Sequence, residues 1–231
     1  MTNILIVLSA ADKWTRADGS LYESGVWAQE FVDLDEAFIR AGFKVDLASP
    51  GGIKPTMDRR SLDPKTVGEP VAERMRAYLG RNAERIAHPL VLAGINTDAY
   101  DAIVVPGGHG PVEDLYKDPD MGRVLLEADR GSKVIAAVCH GPAALLAARD
   151  ENGRWPFAGR KMTSLSDEEE IAFGTAENAP WLLARTLRDR GAVFEQGPNW
   201  SIHVVKDGNL LTGQNPQSSA ALAEVAIAAL R

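Results

Sequence analysis

Short runs of aliphatic and β-branched residues alternate along this chain with longer stretches whose apolar positions recur every three or four residues. The first pattern suits a strand buried on both faces, and the second suits a helix that lays one face on it. Strands are predicted over 4–8, 44–48, 101–105, 133–138 and 160–165. The 133–138 run is purely apolar after its lysine, which marks a central position. Helices are predicted over 26–41, where Val26, Trp27, Phe31, Leu34 and Phe38 share a face, over 71–87 in two pieces, and over 121–130, 141–148, 179–190 and from 218 onward. Gly42 and Gly191 stand where glycine ends a helix. Asp207-Gly208 between 201–205 and 209–212 is a hairpin turn. Alternating strands and helices imply a doubly wound, mostly parallel sheet covered on both faces, an α/β architecture with one added β-hairpin.

Composition narrows this picture. The 231 residues are 45% hydrophobic, enough for one sizeable core, and a single domain over 1–231 is expected. The net charge of −7, with no local cluster of lysine and arginine, argues against a nucleic-acid partner. The five tryptophans are dispersed and form no stacking platform for a single strand. One cysteine excludes an intramolecular disulfide and fits a reducing compartment. The apolar opening MTNILIVLSA lacks a basic leader and is too short to span a bilayer, so a cytoplasmic protein with no membrane partner is expected. The histidines lack metal-ligand spacing, and Gly107-Gly108-His109-Gly110 lacks the G-x-G-x-x-G spacing of a dinucleotide loop. Neither a metal nor a cofactor is expected.

The chemistry concentrates where the 133–138 run enters Cys139-His140-Gly141-Pro142. Open α/β sheets bind ligands at the carboxyl ends of their strands. A helix beginning after Pro142 would favour a thiolate at Cys139 through its partial positive charge. A free cysteine is more often a buried structural residue; the strand–cysteine–histidine–glycine–proline order argues for a nucleophile on a sharp strand-to-helix turn. A second strand ends in Pro106-Gly107-Gly108-His109-Gly110-Pro111, where glycines free backbone N–H groups for an oxyanion. His109 is expected to line the pocket. Glu30 lies near the apolar face of the first helix, either as a surface residue or as a buried acid with a raised pKa. Asp167, Glu168, Glu169 and Glu170 form either a solvated helix start or the source of an acid that orients His140. His88 and His203 read as structural.

These motifs, with Ser24-Gly25-Val26-Trp27, Ala48-Ser49-Pro50-Gly51-Gly52 and Thr212-Gly213-Gln214-Asn215-Pro216, resemble in order the ThiJ/PfpI superfamily, most closely its heat-shock-chaperone-like branch with the glutathione-independent glyoxalases. The resemblance implies a flavodoxin-like, class I glutamine amidotransferase-like sandwich and a homodimer. It implies Cys139 as nucleophile, His140 as its partner, Glu30 as an acid on the thiolate and Glu170 as the third member of the triad. It also implies an oxyanion hole from the N–H groups of Gly108 and His140, beside a pocket that includes Gly107 and His109. Glutamine amide transfer is rejected, because the late His-x-Glu of amidotransferases is replaced by His203-Val204-Val205.

Three activities are compatible with this set. The first is cofactor-free conversion of methylglyoxal to D-lactate, with a small aldehyde or ketoaldehyde as partner. The second is cysteine-dependent hydrolysis of peptides or early glycation adducts. The third is a holding chaperone or redox sensor.

Overall fold

Alternate residues of the central strands face opposite sides of one sheet, and both sides are buried. The computed structural model describes residues 1–231. Its strands are β1 (Asn3–Val7), β2 (Lys13–Thr15), β3 (Leu21–Glu23), β4 (Lys44–Ser49), β5 (Leu90–Val91), β6 (Ala102–Val105), β7 (Val134–Val138), β8 (Lys161–Met162), β9 (Val193–Phe194), β10 (Val204–Asp207) and β11 (Leu210–Gly213). Its α-helices are α1 (Ala28–Arg40), α2 (Pro64–Val67), α3 (Glu69–Arg81), α4 (Ala83–Ala87), α5 (Pro119–Arg130), α6 (Asp167–Ala172), α7 (Leu183–Asp189) and α8 (Ser219–Ala229). Seven strands form the main sheet in the order β10-β11-β7-β6-β1-β4-β5. All neighbours run parallel except β10 and β11, which pair as the antiparallel hairpin around Asp207-Gly208.

The two-residue period of a strand divides the core in two. Leu5, Val7, Ile103, Val105, Ile135 and Ala137 pack with Met121, Val124 and Leu125 of α5. Ile4, Ile6, Val104, Ala136 and Val138 pack with Phe31, Leu34 and Phe38 of α1 and with Leu222, Ala223 and Ala226 of α8. The start of α5 is set by Asp118, whose carboxylate accepts from the N–H groups of Asp120 and Met121, with Pro119 in the first turn. This is the doubly wound α/β fold that the sequence pattern implies, and the flavodoxin-like form that the family resemblance implies. No helix is long and apolar enough to cross a membrane.

Several predicted elements change character. The strand expected over 160–165 contributes only β8, paired with β9 in a side sheet. Beyond it, Thr163 N–H donates to the Thr212 hydroxyl at 2.9 Å and Leu165 N–H to the Cys139 carbonyl at 2.9 Å. The segment thus clamps the ends of β11 and β7 instead of extending a ladder. The α-helix expected over 141–148 is a 3-10 helix, Gly141–Ala147. It runs against α5 so closely that a Cβ on Gly122 would meet the Ala147 carbonyl oxygen at 2.4 Å. The predicted 179–190 helix begins only at Leu183. A small hairpin, β2–β3, was not predicted.

Candidate active site

Cys139 follows the last residue of β7 with φ of 60°, the left-handed region a side chain rarely adopts. Two backbone bonds hold it there: its N–H donates to the Gly213 carbonyl at 3.0 Å, and its carbonyl accepts from Leu165 N–H at 2.9 Å. Gly141 is required two residues on, since a Cβ there would lie 2.1 Å from the Val105 carbonyl oxygen. The turn therefore packs directly on the end of β6, and because β6 and β7 pair, the two glycine-bearing loops are neighbours.

The β6 loop is locked in turn to the start of α1. Gly107 N–H donates to Glu30 Oε2 at 2.6 Å, and Trp27 N–H donates to the Gly107 carbonyl at 3.0 Å. Gly108 has φ of 84°, and a Cβ on it would meet the Gly25 carbonyl oxygen at 2.2 Å. Glu30 is fully buried, and its Oε1 has no hydrogen-bond partner. Burial raises the Glu30 carboxyl to about 8, opposed by the Gly107 N–H and the Cys139 thiol. Of the two readings the residues admit, the buried acid is the one found.

Burial also raises the Cys139 thiol well above its ordinary value, and the charge of Glu30 adds to this, while Gly108 N–H acts in the opposite direction. The expectation of a thiol ionised by a helix terminus is thus corrected: burial and a nearby carboxylate outweigh the short 3-10 helix. When Glu30 keeps its proton its repulsion of a thiolate vanishes. In that state the acid can donate to the sulfur.

His140 Nδ1 lies 3.6 Å from the Cys139 sulfur, and its Nε2 lies 2.5 Å from Glu170 Oε2. Glu170 also meets the other pocket histidine: His109 Nε2 lies 2.8 Å from its Oε1, which the Thr175 hydroxyl also approaches. Burial pushes the Glu170 carboxyl up, but the two imidazoles together carry it far below the usual carboxylate range. Burial and the charge of His140 lower His109, against the pull of Glu170. His109 stacks on Trp14 with centroids 4.5 Å apart. Trp14 comes from the unpredicted β2–β3 hairpin, whose only advance signal is Asp18-Gly19 in its turn.

Within the acidic run the helix phase separates the roles. Glu168 is exposed, and Asp167 faces Arg188 at 3.6 Å. Glu169 is buried as a tie: with Ser166 it closes a capping box, and its Oε1 accepts from Trp200 N–H at 2.7 Å and Asn215 Nδ2 at 2.8 Å. Glu170, on the next position, alone reaches the histidines.

Cys139, 5% exposed, opens with Gly108, His109 and His140 onto a cavity of about 40 Å³. Trp27, Leu165, Phe173, Trp200 and Pro216 complete its lining, and none of these five was singled out from the sequence as a pocket residue. Ligand atoms of His109, His140 and Glu170 also lie within 4.8 Å of one another, a set able to hold a metal ion. Sequence spacing could not reveal it, because the three come from separate segments. Both Nε2 atoms already face Glu170, so the arrangement seen is a hydrogen-bonded charge network.

A cysteine on a strained turn, backed by a histidine–glutamate pair and faced by a buried acid, on this sheet topology, defines a DJ-1/PfpI protein, and residues 21–229 match that family, to which the chain belongs. Within it the chain sits in the branch that contains HchA. It is 27% identical over 229 residues to the protein/nucleic acid deglycase HchA of Escherichia coli O157:H7, covering 96% of this chain and 79% of that one. It is 32% identical over 195 residues, 84% of each chain, to the glutamine amidotransferase-like class 1 domain-containing protein 1 of Bos taurus. The solved structure of glyoxalase III (Orf 19.251) from Candida albicans shares the fold, with a TM-score of 0.85 at 24% identity over 100% of this chain and 98% of that one.

Proposed function

We propose that the chain is a cofactor-independent glyoxalase that converts methylglyoxal to D-lactate through a covalent adduct on Cys139. The observation that carries this reading is the sulfur's position between His140 and a carboxyl that keeps its proton to about pH 8, in a cavity of only about 40 Å³.

Cys139 Sγ adds to the aldehyde carbon, and its proton passes to His140 Nδ1. Glu170 accepts from Nε2 and holds the imidazole in the tautomer that leaves Nδ1 free to receive it. The aldehyde oxygen becomes anionic and is met by the N–H groups of Gly108 and His140, while Gly107 N–H is already committed to Glu30. A proton then leaves the former aldehyde carbon, and another is delivered to the adjacent ketone carbon through an enediol, with His140 or Glu30 as carrier. One carbon is thereby oxidised to a thioester and the other reduced to an alcohol. Water cleaves the thioester, and lactate and the free thiol result.

Purified protein with methylglyoxal is expected to yield D-lactate, and Cys139→Ala to yield none. Absence of turnover, or equal turnover in the variant, defeats the reading. The similarity to HchA favours a second one, release of an early glycation adduct by the same thiol. Product formed from a purified adduct freed of glyoxals, without lactate from methylglyoxal, selects that alternative.

A further inference from the structure

The small cavity at Cys139 shares its aromatic wall with a neighbouring hollow. Trp27, Phe173, Trp200 and Pro216 are shared with a second hollow of about 270 Å³, completed by Gln29, Thr66, Val67 and Gln217. The inner cavity accommodates the reacting end of a substrate. The outer one approaches the size of an ordinary small-molecule site, and methylglyoxal alone would leave it unfilled.

Its chemistry is uniform. No residue around it is ionisable, and its polar groups are two amides, a hydroxyl and two indoles. Trp27, common to both hollows, is buried with its Nε1–H unpaired by any protein acceptor. Trp27 and Phe173 meet edge to face with centroids 5.8 Å apart, and Phe173 and Trp200 are tilted at 6.2 Å. Such a wall suits a flat apolar group. It suits a cation poorly, because the Arg60 guanidinium already lies 4.3 Å from the Phe173 ring centroid.

We infer that the outer hollow is a substrate subsite, and that the substrate is a 2-oxoaldehyde carrying a neutral, apolar, aryl-sized tail. The inference rests on the glyoxalase reading and adds its substrate class. The chemistry balances as before: water supplies one oxygen, the aldehyde carbon becomes a carboxylate and the ketone carbon an alcohol, so phenylglyoxal gives mandelate.

The test compares initial rates with phenylglyoxal and methylglyoxal, in wild type and in Val67→Trp, which fills the outer hollow from a residue that does not line the inner one. Wild type is expected to show a kcat/KM at least tenfold higher for phenylglyoxal, mainly through KM. Val67→Trp is expected to abolish that preference while methylglyoxal turnover stays within threefold. Equal kcat/KM for the two aldehydes in wild type, or an equal fall for both in the variant, overturns the subsite and leaves the glyoxalase reading standing. Should neither aldehyde be turned over, the glyoxalase reading fails, and quenching of tryptophan fluorescence in Cys139→Ala by mandelate and by lactate still decides the subsite. Mandelate is expected to bind at least tenfold more tightly, and equal binding overturns the inference.

Discussion

Replacing Glu30 by glutamine should make the protein more stable while removing its activity, and the gain should grow with pH. In the folded chain burial raises the carboxyl from 4.5 to about 8. Between those values the native state holds a proton that the unfolded chain has released, so wild-type stability falls as pH rises through that window. At about 1.4 kcal/mol for each tenfold change in proton affinity, the rise from 4.5 to about 8 corresponds to about 5 kcal/mol above pH 8 and to roughly 3 kcal/mol at pH 7. The amide cannot ionise and avoids this cost. Its oxygen can still accept from Gly107 N–H, and its NH₂ takes the place of the buried Oε1 that lacks a partner. Urea unfolding of both proteins at pH 5, 6, 7, 8 and 9 isolates the effect, because titrating groups that do not sense Glu30 cancel in the difference, and Cys139, which does, stays protonated in the folded chain over this range. The expected difference rises in favour of Glu30→Gln by about 1.4 kcal/mol per pH unit from pH 5 to pH 8 and then levels off. A flat difference, or one that falls with pH, would refute the buried-acid assignment.

Glu170→Gln should behave in the opposite sense: the two imidazoles hold this carboxyl below its unfolded pKa, so its stabilisation is present above about pH 4.5 and lost as pH falls. Chemical unfolding should show the variant weaker by about 3 kcal/mol at pH 7, converging on wild type in acid, with kcat down at least ~100-fold. Glu169→Ala, one position away, strips the acceptor from Ser166 N–H, Trp200 N–H and Asn215 Nδ2, and calorimetry should show a loss of about 3 kcal/mol, or about 6–12 °C in Tm. A Tm shift under ~2 °C would contradict its role as a tie. Gly141→Ala pushes a methyl to 2.1 Å from the Val105 carbonyl oxygen, so the turn must move; thiol alkylation at Cys139 should change rate severalfold, and an unchanged rate would show the contact is harmless.

The long apolar runs were legible because a doubly covered sheet leaves little choice of residue, and β1, β4, β6 and β7 sit within a residue or two of their predicted spans. The hairpin β2–β3 was not, because it buries one side chain per pair of exposed neighbours and Trp14 is the only buried residue of β2. Cys139 and its loop were readable from local order alone. The place of Glu170 beside His140 came only through the family resemblance, not from the residues themselves: four consecutive carboxylates differ only in helical phase, and that phase is set by where Ser166 caps α6. The ionisation of Cys139 was misjudged for a related reason. A helix terminus is visible in a sequence, whereas the depth of burial and the approach of Glu30 arise only when distant segments meet.

Main-chain bonds from residue 139 to Gly213 and Leu165 anchor the bend at the carboxyl end of β7, independent of which side chain projects from it. Under the proposed mechanism, swapping the element carried there, sulfur for oxygen in Cys139→Ser, compares two attacking atoms at one fixed address. A difference in rate between them then reports the element and its pairing with Glu30 and His140, not a displaced backbone.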